Sequence, residues 1–318
     1  MKTKQINTPK KKTWMKDRRK VLFYVLMLAL PVLQVVIFYI GVNIRSVFLA
    51  FQKYDANTDS LIFAGFENFI RVFNFNNGNA LSEISYGFKN SLISYAIGVT
   101  SSICIGLPLA YAVYRKVPFH GAFKVFLYLP HMLSVVVMSV MFMNFTEEAL
   151  QQLLPNLFPN GIGPLSGRDE MVIYATLMFF TVFIALGGNL LLYTGAMSDI
   201  NVSLIESAQL DGANSFRVFW HVFLPGIWPT ISTLLVVGLT GIFINQINLF
   251  TFYGTGAPSK ISTIGYWLYK LTYRATGANN PFLEYPYLAA VGIVLTCITV
   301  PLTLGARKLM SKLGPRDD

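Results

Sequence analysis

Two carboxylates, Glu206 and Asp211, stand in a short polar stretch between long apolar runs, with Gly212 directly after the second and Leu224-Pro225 closing the stretch. A connecting loop needs no carboxylate pair, glycine and Leu-Pro stop merely to join two helices. The chemistry such residues suit is ion pairing, a carboxylate on an exposed helix meeting an Arg or Lys of a partner. A second polar group, Asn245, Gln246 and Asn248, lies inside an apolar run. Amides both donate and accept hydrogen bonds, which suits hydroxyl-rich solutes; they equally serve to bond neighbouring helices. Catalytic and metal chemistry find no support. His120, His131 and His221 are far apart, and no cysteine spacing points to a metal site or a disulfide framework. The run Gly254 to Lys260 resembles a phosphate-binding loop, but Ser259 precedes the lysine and Ile261 follows it, where that loop needs Gly and then Ser or Thr. The chain therefore has no ATP site of its own.

These residues must be positioned by membrane-spanning helices. The 318 residues are 54% hydrophobic and 13% charged, against about 25% charged in a soluble domain. Six runs, near 21–42, 88–113, 125–145, 172–194, 229–252 and 286–305, reach the roughly 20 residues that cross a bilayer core of about 30 Å. The expected fold is all-α, a polytopic membrane protein with six transmembrane helices. Cys104 and Cys297 fall inside these runs and read as small buried hydrophobes.

The net charge of +10 does not point to nucleic acid. Nine of the 25 basic residues lie in positions 1–20, directly before the first span, as in a cytoplasmic topology signal. The first apolar run is too long for a signal peptide core. With six spans both termini are expected in the cytoplasm, which puts 17 basic residues inside and 8 outside. The segment 195–228 is an acidic exception, with Arg217 against Asp199, Glu206 and Asp211; docking on a basic protein surface accounts for it.

The expected organisation is a basic cytoplasmic arm over 1–20, a first span with its outer connection over 21–87, a core of five spans over 88–305 and a cytoplasmic tail over 306–318. In the outer connection Phe66, Phe69, Ile70 and Phe73 have helical spacing, which predicts a short amphipathic helix at the outer interface. Residues 74–79 read as a turn. Pro155, Pro159, Gly161, Gly163 and Pro164 forbid a long helix in the outer loop 146–171.

Within 195–228, Ser198-Asp199 or Ser203 caps a short helix starting near Asn201 or Val202, and Gly212 ends it. A second helix from Ser215 carries Phe216, Phe219, Trp220 and Phe223 on one face. The string Glu206-Ser207-Ala208, three residues, Gly212, nine residues, Val222-Phe223-Leu224-Pro225 resembles the EAA motif of binding-protein-dependent ABC importer permeases. Ser207 replaces the motif's central alanine and Val222 its isoleucine, and Asp211-Gly212-Ala213 matches the family's common D-G-A. Gly65-Phe66-Glu67-Asn68-Phe69, Gly106-Leu107-Pro108-Leu109-Ala110-Tyr111 and Phe123-Lys124-Val125-Phe126-Leu127-Tyr128-Leu129-Pro130 are similar to the sugar-type branch.

The resemblance implies a type I importer (MetI-like) transmembrane domain. Its partners would be a second homologous permease, two cytoplasmic ATPase subunits that bind ATP and Mg, and an extracytoplasmic solute-binding protein. Glu206, Ser207, Ala208, Asp211, Gly212 and Ala213 would form the ATPase-coupling surface, with Glu206 pairing to the ATPase. A sugar or oligosaccharide is the expected cargo, a polyol or glycerol-phosphate the alternative. The expected substrate pathway takes in Asn245, Gln246, Asn248 and Gly238 from span five. Gly187-Gly188-Asn189 of span four reads as a close helix crossing or as part of that pathway. A secondary transporter would need charged residues within the spans, which hold almost none; a non-transporting scaffold leaves the polar face of span five unexplained.

Overall fold

A computed structural model of the chain describes residues 18–73, 78–157, 169–277 and 281–315. Most of the basic arm, the expected turn at 74–77, and Pro159, Gly161, Gly163 and Pro164 lie outside the described residues.

Helix α1, Lys20–Ala50, is the first span. It is apolar on every side and exposed from Lys20 to Phe48, the pattern of a helix covered by lipid rather than by its own protein. Its C-terminal part, Val42–Ala50, packs on the bundle and ends at the fully buried Ala50. A two-stranded antiparallel hairpin follows, β1 (Gln52–Asp55) and β2 (Ser60–Phe63), with Gln52 opposite Phe63. This small sheet is absent from the all-α expectation. The amphipathic helix is present as α2, Glu67–Phe73. Phe66, Ile70 and Phe73 are exposed, while Asn68 is buried and donates to the Ala50 and Gln52 carbonyls at 2.9 and 2.7 Å.

The core is built from α3 (Ser82–Tyr114), the bent pair α4 (His120–Met132) and α5 (Val135–Leu153), and α6 (Glu170–Ser198). The short α7 (Val202–Leu210) follows, then α8 (Ser215–Gly226), α9 (Trp228–Thr240), α10 (Leu249–Tyr253), α11 (Ile264–Gly277) and α12 (Tyr285–Leu313). The helix leading into α3 already begins at Gly78, so the expected turn does not reach 79.

Two of the six expected spans are not straight helices. The third breaks between Met132 and Val135, where α4 and α5 meet at 106°. Pro130 has no N–H to return to the preceding turn, and Leu133 leaves the helix with φ −78° and ψ 156°. The fifth, expected over 229–252, stops at Gly241; residues 241–248 are turns and irregular chain, and Ile247 and Asn248 have φ of +46° and +60°. Asn245 and Asn248 therefore do not share a helix face. The unwinding has a local cause and a distant one. Asn245 Oδ1 accepts from the Ile247 N–H at 2.8 Å, a side-chain turn that competes with the helix. From the start of α11 and the residue before it, the Thr263 hydroxyl donates to the Asn245 carbonyl at 2.8 Å, and Gly265 lies so close that any β-carbon there would collide with the Ile244 carbonyl.

Three buried clusters hold the bundle. The first joins Leu107, Tyr128, Tyr193, Ile205, Phe219 and Phe223; the second joins Leu177, Phe180, Ile247, Leu249 and Tyr266; the third joins Leu239, Ile242, Phe243 and Ile264. Cys104 and Cys297, expected to be buried, are exposed on α3 and α12, on helix surfaces apolar enough to face lipid.

Candidate functional site

The acidic segment folds as its local signals dictate. Asn201, not Ser198 or Asp199, caps α7: its side chain accepts from the Ser203 N–H at 3.0 Å. At the other end Gly212 has φ +79°, its N–H bonds to the Gln209 carbonyl, and the Ala213 N–H bonds to the Ala208 carbonyl, both at 3.0 Å. These two bonds are the Schellman arrangement, which needs a left-handed residue where glycine stands. Asn214 then caps α8 by accepting from the Arg217 N–H at 2.9 Å.

Bonds to α3 fix this unit on the bundle. The Tyr111 hydroxyl donates to the Ser215 carbonyl at 2.9 Å, and Arg115 Nη2 donates to the Ser215 hydroxyl at 3.0 Å. Ile205 enters the first buried cluster, with Ala208 and Ala213 packed against it. The four aromatic residues of α8, expected on one face, divide into two pairs. Phe219 and Phe223 are buried with Tyr111, ring centroids 5.0 and 5.1 Å away, whereas Phe216 and Trp220 face outward. The cause is a π-helical turn over Phe219–Phe223, directly before Leu224-Pro225. A second π turn, Ser102–Gly106, precedes Leu107-Pro108 in α3. A proline leaves the carbonyl four residues back without its helical partner, and the wider turn redistributes those bonds.

Outward on this unit are the carboxylates Glu206 and Asp211 with Leu210 and Phe216, 88% and 70% exposed, and beside them Val202, Leu204, Arg217 and Trp220 are exposed as well. Neither carboxylate forms an ion pair among the described residues. Ser207 turns its hydroxyl back to the Ser203 carbonyl at 2.8 Å, so this departure from the motif adds no free polar group.

A second feature lies between α3 and α6. A groove of about 690 Å³ carries Lys89, Glu170 and Lys260 at its mouth and Tyr86, Tyr174 and Phe179 on its walls. A smaller cavity of about 130 Å³ adjoins it, lined by Ser94, Ser102, Thr181, Asn189 and Asn245; Ser101, Met178 and Val182 line both. Asn189 donates to the Ser102 hydroxyl at 3.1 Å, and Ser102 lies 2.7 Å from the Tyr193 hydroxyl. At the mouth Lys260 pairs with Glu170 at 2.8 Å, and this hydrogen bond and the carboxylate's charge hold the ammonium pKa above its ordinary value. The segment once similar to a phosphate loop thus spends its lysine on a carboxylate.

Of the expected pathway residues, the fold brings Asn189 and Asn245 into one cavity. Gln246, Asn248 and Gly238 are not in its lining. Asn248 lies behind it, donating to the Thr181 hydroxyl at 3.3 Å; a β-carbon on Gly238 would lie 3.3 Å from the ring of Tyr95. Gly187 and Gly188 form the close crossing, pressed against Leu127 and His131 of α4. Sequence reasoning passed over Lys89, Ser94, Ser101, Ser102 and Thr181. The signal present was the stripe Ser94, Gly98, Ser101, Ser102 at helical spacing within an apolar span. Among the described residues no group of His, Cys, Asp and Glu is arranged to hold a metal ion.

The chain is similar to several transport proteins. The arabinooligosaccharides transport system permease protein AraP of Bacillus subtilis is 28% identical over 217 residues, covering 66% of this chain and 67% of that protein. The sn-glycerol-3-phosphate transport system permease protein UgpA of Agrobacterium fabrum is 27% identical, covering 89% and 92%. The multiple sugar-binding transport system permease protein MsmF of Streptococcus mutans is 22% identical, covering 88% and 92%. The fold matches a chain of a bacterial ABC transporter involved in import of the acidic polysaccharide alginate, with TM-score 0.69, 20% identity and coverage of 94% and 98%. It also matches the MetNI methionine ABC transporter, with TM-score 0.52, 15% identity and coverage of 76% and 100%. The family model for the binding-protein-dependent transport system inner membrane component matches residues 102–315, two thirds of the chain and the whole of segment 195–228, and the chain belongs to that family.

Proposed function

We propose that this chain is the permease subunit of a type I ABC importer that carries a sugar or oligosaccharide across the bacterial cytoplasmic membrane by ATP-driven alternating access. The coupling segment carries this reading. α7 is capped at both ends and anchored in the bundle through Ile205, while Glu206, Leu210, Asp211 and Phe216 face outward. A short rigid helix clamped to spans on one side and open to a partner on the other can transmit a displacement in either direction. In this reading Glu206 pairs with a basic residue of an ATPase subunit, and Gly212 admits close approach to the backbone. Ser207, Ala208, Asp211 and Ala213 complete the surface.

Two cytoplasmic ATPase subunits bind ATP and Mg, a second homologous permease completes the pathway, and an extracytoplasmic solute-binding protein delivers the cargo. Both termini are cytoplasmic. The five-span core over 88–305 does the moving, with the 1–20 arm, the 21–87 segment and the 306–318 tail around it.

Cargo passes along the groove between α3 and α6. Ser94, Ser101, Ser102, Thr181, Asn189 and Asn245 offer hydroxyls and amides that exchange hydrogen bonds with a hydrated sugar as it sheds water. Asn248 and Gly238 act behind the wall, through Thr181 and Tyr95, and Gln246 lies beside Asn245 in the unwound segment. A second reading, a glycerol-phosphate-type solute, is favoured by Lys89, a cation at the groove mouth with no ion pair among the described residues, and by the similarity to UgpA. Uptake of labelled sugars and polyol phosphates separates the two.

The function is tested by Glu206→Ala in the assembled transporter. The expected result is weaker ATPase retention on purification, or loss of solute-driven uptake, with membrane insertion unchanged. Wild-type uptake together with wild-type complex formation would overturn the assignment.

A further inference from the structure

A groove of about 540 Å³ opens between the first turns of α9 and the last turns of α12, at the end of the bundle that carries α7 and α8. Its wall includes Trp228, Ser232, Thr233, Arg307, Ser311 and Gly314. The indole N–H of Trp228 donates to the Met310 carbonyl at 3.1 Å. Gly314 lets the chain cross over that ring, since a β-carbon there would lie 2.6 Å from Trp228 Cδ1 and Nε1. The groove is thus built by α9 and α12 together.

Its chemistry is one-sided. Among the described residues Arg307 is the only charged one in the lining, no carboxylate lines the groove, and Arg307 forms no ion pair. Ser232 contributes a buried hydroxyl with no hydrogen-bond partner. An uncompensated cation beside an unsatisfied hydroxyl calls for an anion that also accepts a hydrogen bond.

Position narrows the class of anion. α12 carries no charged residue from Tyr285 to Ala306, a length that matches the roughly 20 residues that cross a bilayer core. Arg307 is the first charge beyond that stretch, followed by Lys308 and Lys312. Exposed Leu302, Leu304 and Leu309 flank it, and a tryptophan at this depth is at home in the headgroup layer. A ligand here meets a guanidinium and hydroxyls on one side and hydrocarbon on the other. We infer that this groove holds the headgroup of an anionic glycerophospholipid, with the phosphate on Arg307 and the acyl chains along α12. Arg suits the phosphate because its planar fork matches two oxygens at once, and basic residues beside a span draw anionic lipid.

The test uses the full chain in neutral detergent, titrated with phosphatidylglycerol or with phosphatidylcholine of the same acyl chains, bound lipid being counted by native mass spectrometry. One phosphatidylglycerol is expected to be retained in preference to phosphatidylcholine. Arg307→Ala is expected to weaken it about tenfold, the scale of one charge-assisted contact, and Arg307→Lys to weaken it less. Ser232→Ala is expected to weaken it by a smaller factor. Lys312→Ala, which removes the same charge outside the lining, should change retention less than twofold. Equal losses in Arg307→Ala and Lys312→Ala would replace the site with diffuse attraction. No preference over phosphatidylcholine, or displacement by millimolar inorganic phosphate, would overturn the lipid assignment.

Discussion

A β-carbon on Gly187 would lie 2.7 Å from the His131 β-carbon and 2.5 Å from the Leu127 carbonyl oxygen. α4 and α6 thus meet backbone to backbone, just before α4 ends and the third span turns through 106°. Small residues permit such crossings in membranes, where packing rather than the hydrophobic effect drives helix association.

Gly187→Leu should therefore force the two helices apart. The expected cost is about 1–3 kcal/mol, the range for overpacking a filled site, read as a lower thermal midpoint of the purified protein. Gly195→Ala, on the same helix with nothing near its β-position, should leave the midpoint unchanged.

Gly212→Val should damage coupling more than stability. A β-branched residue at φ +79° costs about 1–2 kcal/mol, enough to undo the Schellman bonds of one exposed turn and not to unfold the bundle. The expected outcome is reduced uptake and ATPase retention with normal insertion. Asn201→Ala, which removes the opposite cap at a cost of about 1 kcal/mol, should act in the same direction but more weakly.

Lys270 on α11 is 5% exposed and pairs with Glu83 of α3 at 3.2 Å; Ser259 donates to the same carboxylate at 2.7 Å. Glu83→Gln leaves a buried ammonium without its counter-charge and should destabilise the protein by about 3 kcal/mol. The double variant Glu83→Gln with Lys270→Met should recover most of that loss. A double variant no more stable than the single one would show that the pair's charge is not what matters there.

Asn189→Leu should lower uptake severalfold while leaving ATPase retention intact, because Asn189 joins the cavity wall through Ser102 and lies apart from α7. Gln246→Leu, outside that lining, should have the smaller effect. The reverse order would move the pathway from the α3–α6 groove to the unwound segment itself.

Most of the fold of segment 195–228 was legible from sequence because its determinants are local, although the helix cap fell on Asn201 and not on Ser198, Asp199 or Ser203. A cap lies two residues from the N–H it satisfies, and the Schellman bonds run from the Gly212 N–H three residues back and from the Ala213 N–H five residues back. Spans were legible because hydrocarbon imposes a length and a composition. Even so, the split of Phe216 and Trp220 from Phe219 and Phe223 was not, since it follows from a π turn that helical spacing does not anticipate.

The unwinding of the fifth span belongs to the tertiary structure. By composition 229–252 is an apolar run free of charged residues, and a helix is its default in a bilayer. What stabilises the break is the Thr263 hydroxyl, which donates to the Asn245 carbonyl, and Gly265, whose lack of a side chain leaves room for the Ile244 carbonyl, while Asn90 and Ser91 of α3 hold the 260–264 strap through the carbonyls of Lys260 and Ser262 and the N–H of Ile264. Backbone groups freed from a helix inside a membrane must find partners elsewhere in the protein; the bonds that hold the break and its strap span 18 to 173 positions in the chain. The same contacts bring Asn245 to Asn189 and leave Asn248 behind the wall. Residue types alone marked both amides as polar groups in an apolar run; only the three-dimensional arrangement decided which of them lines the cavity.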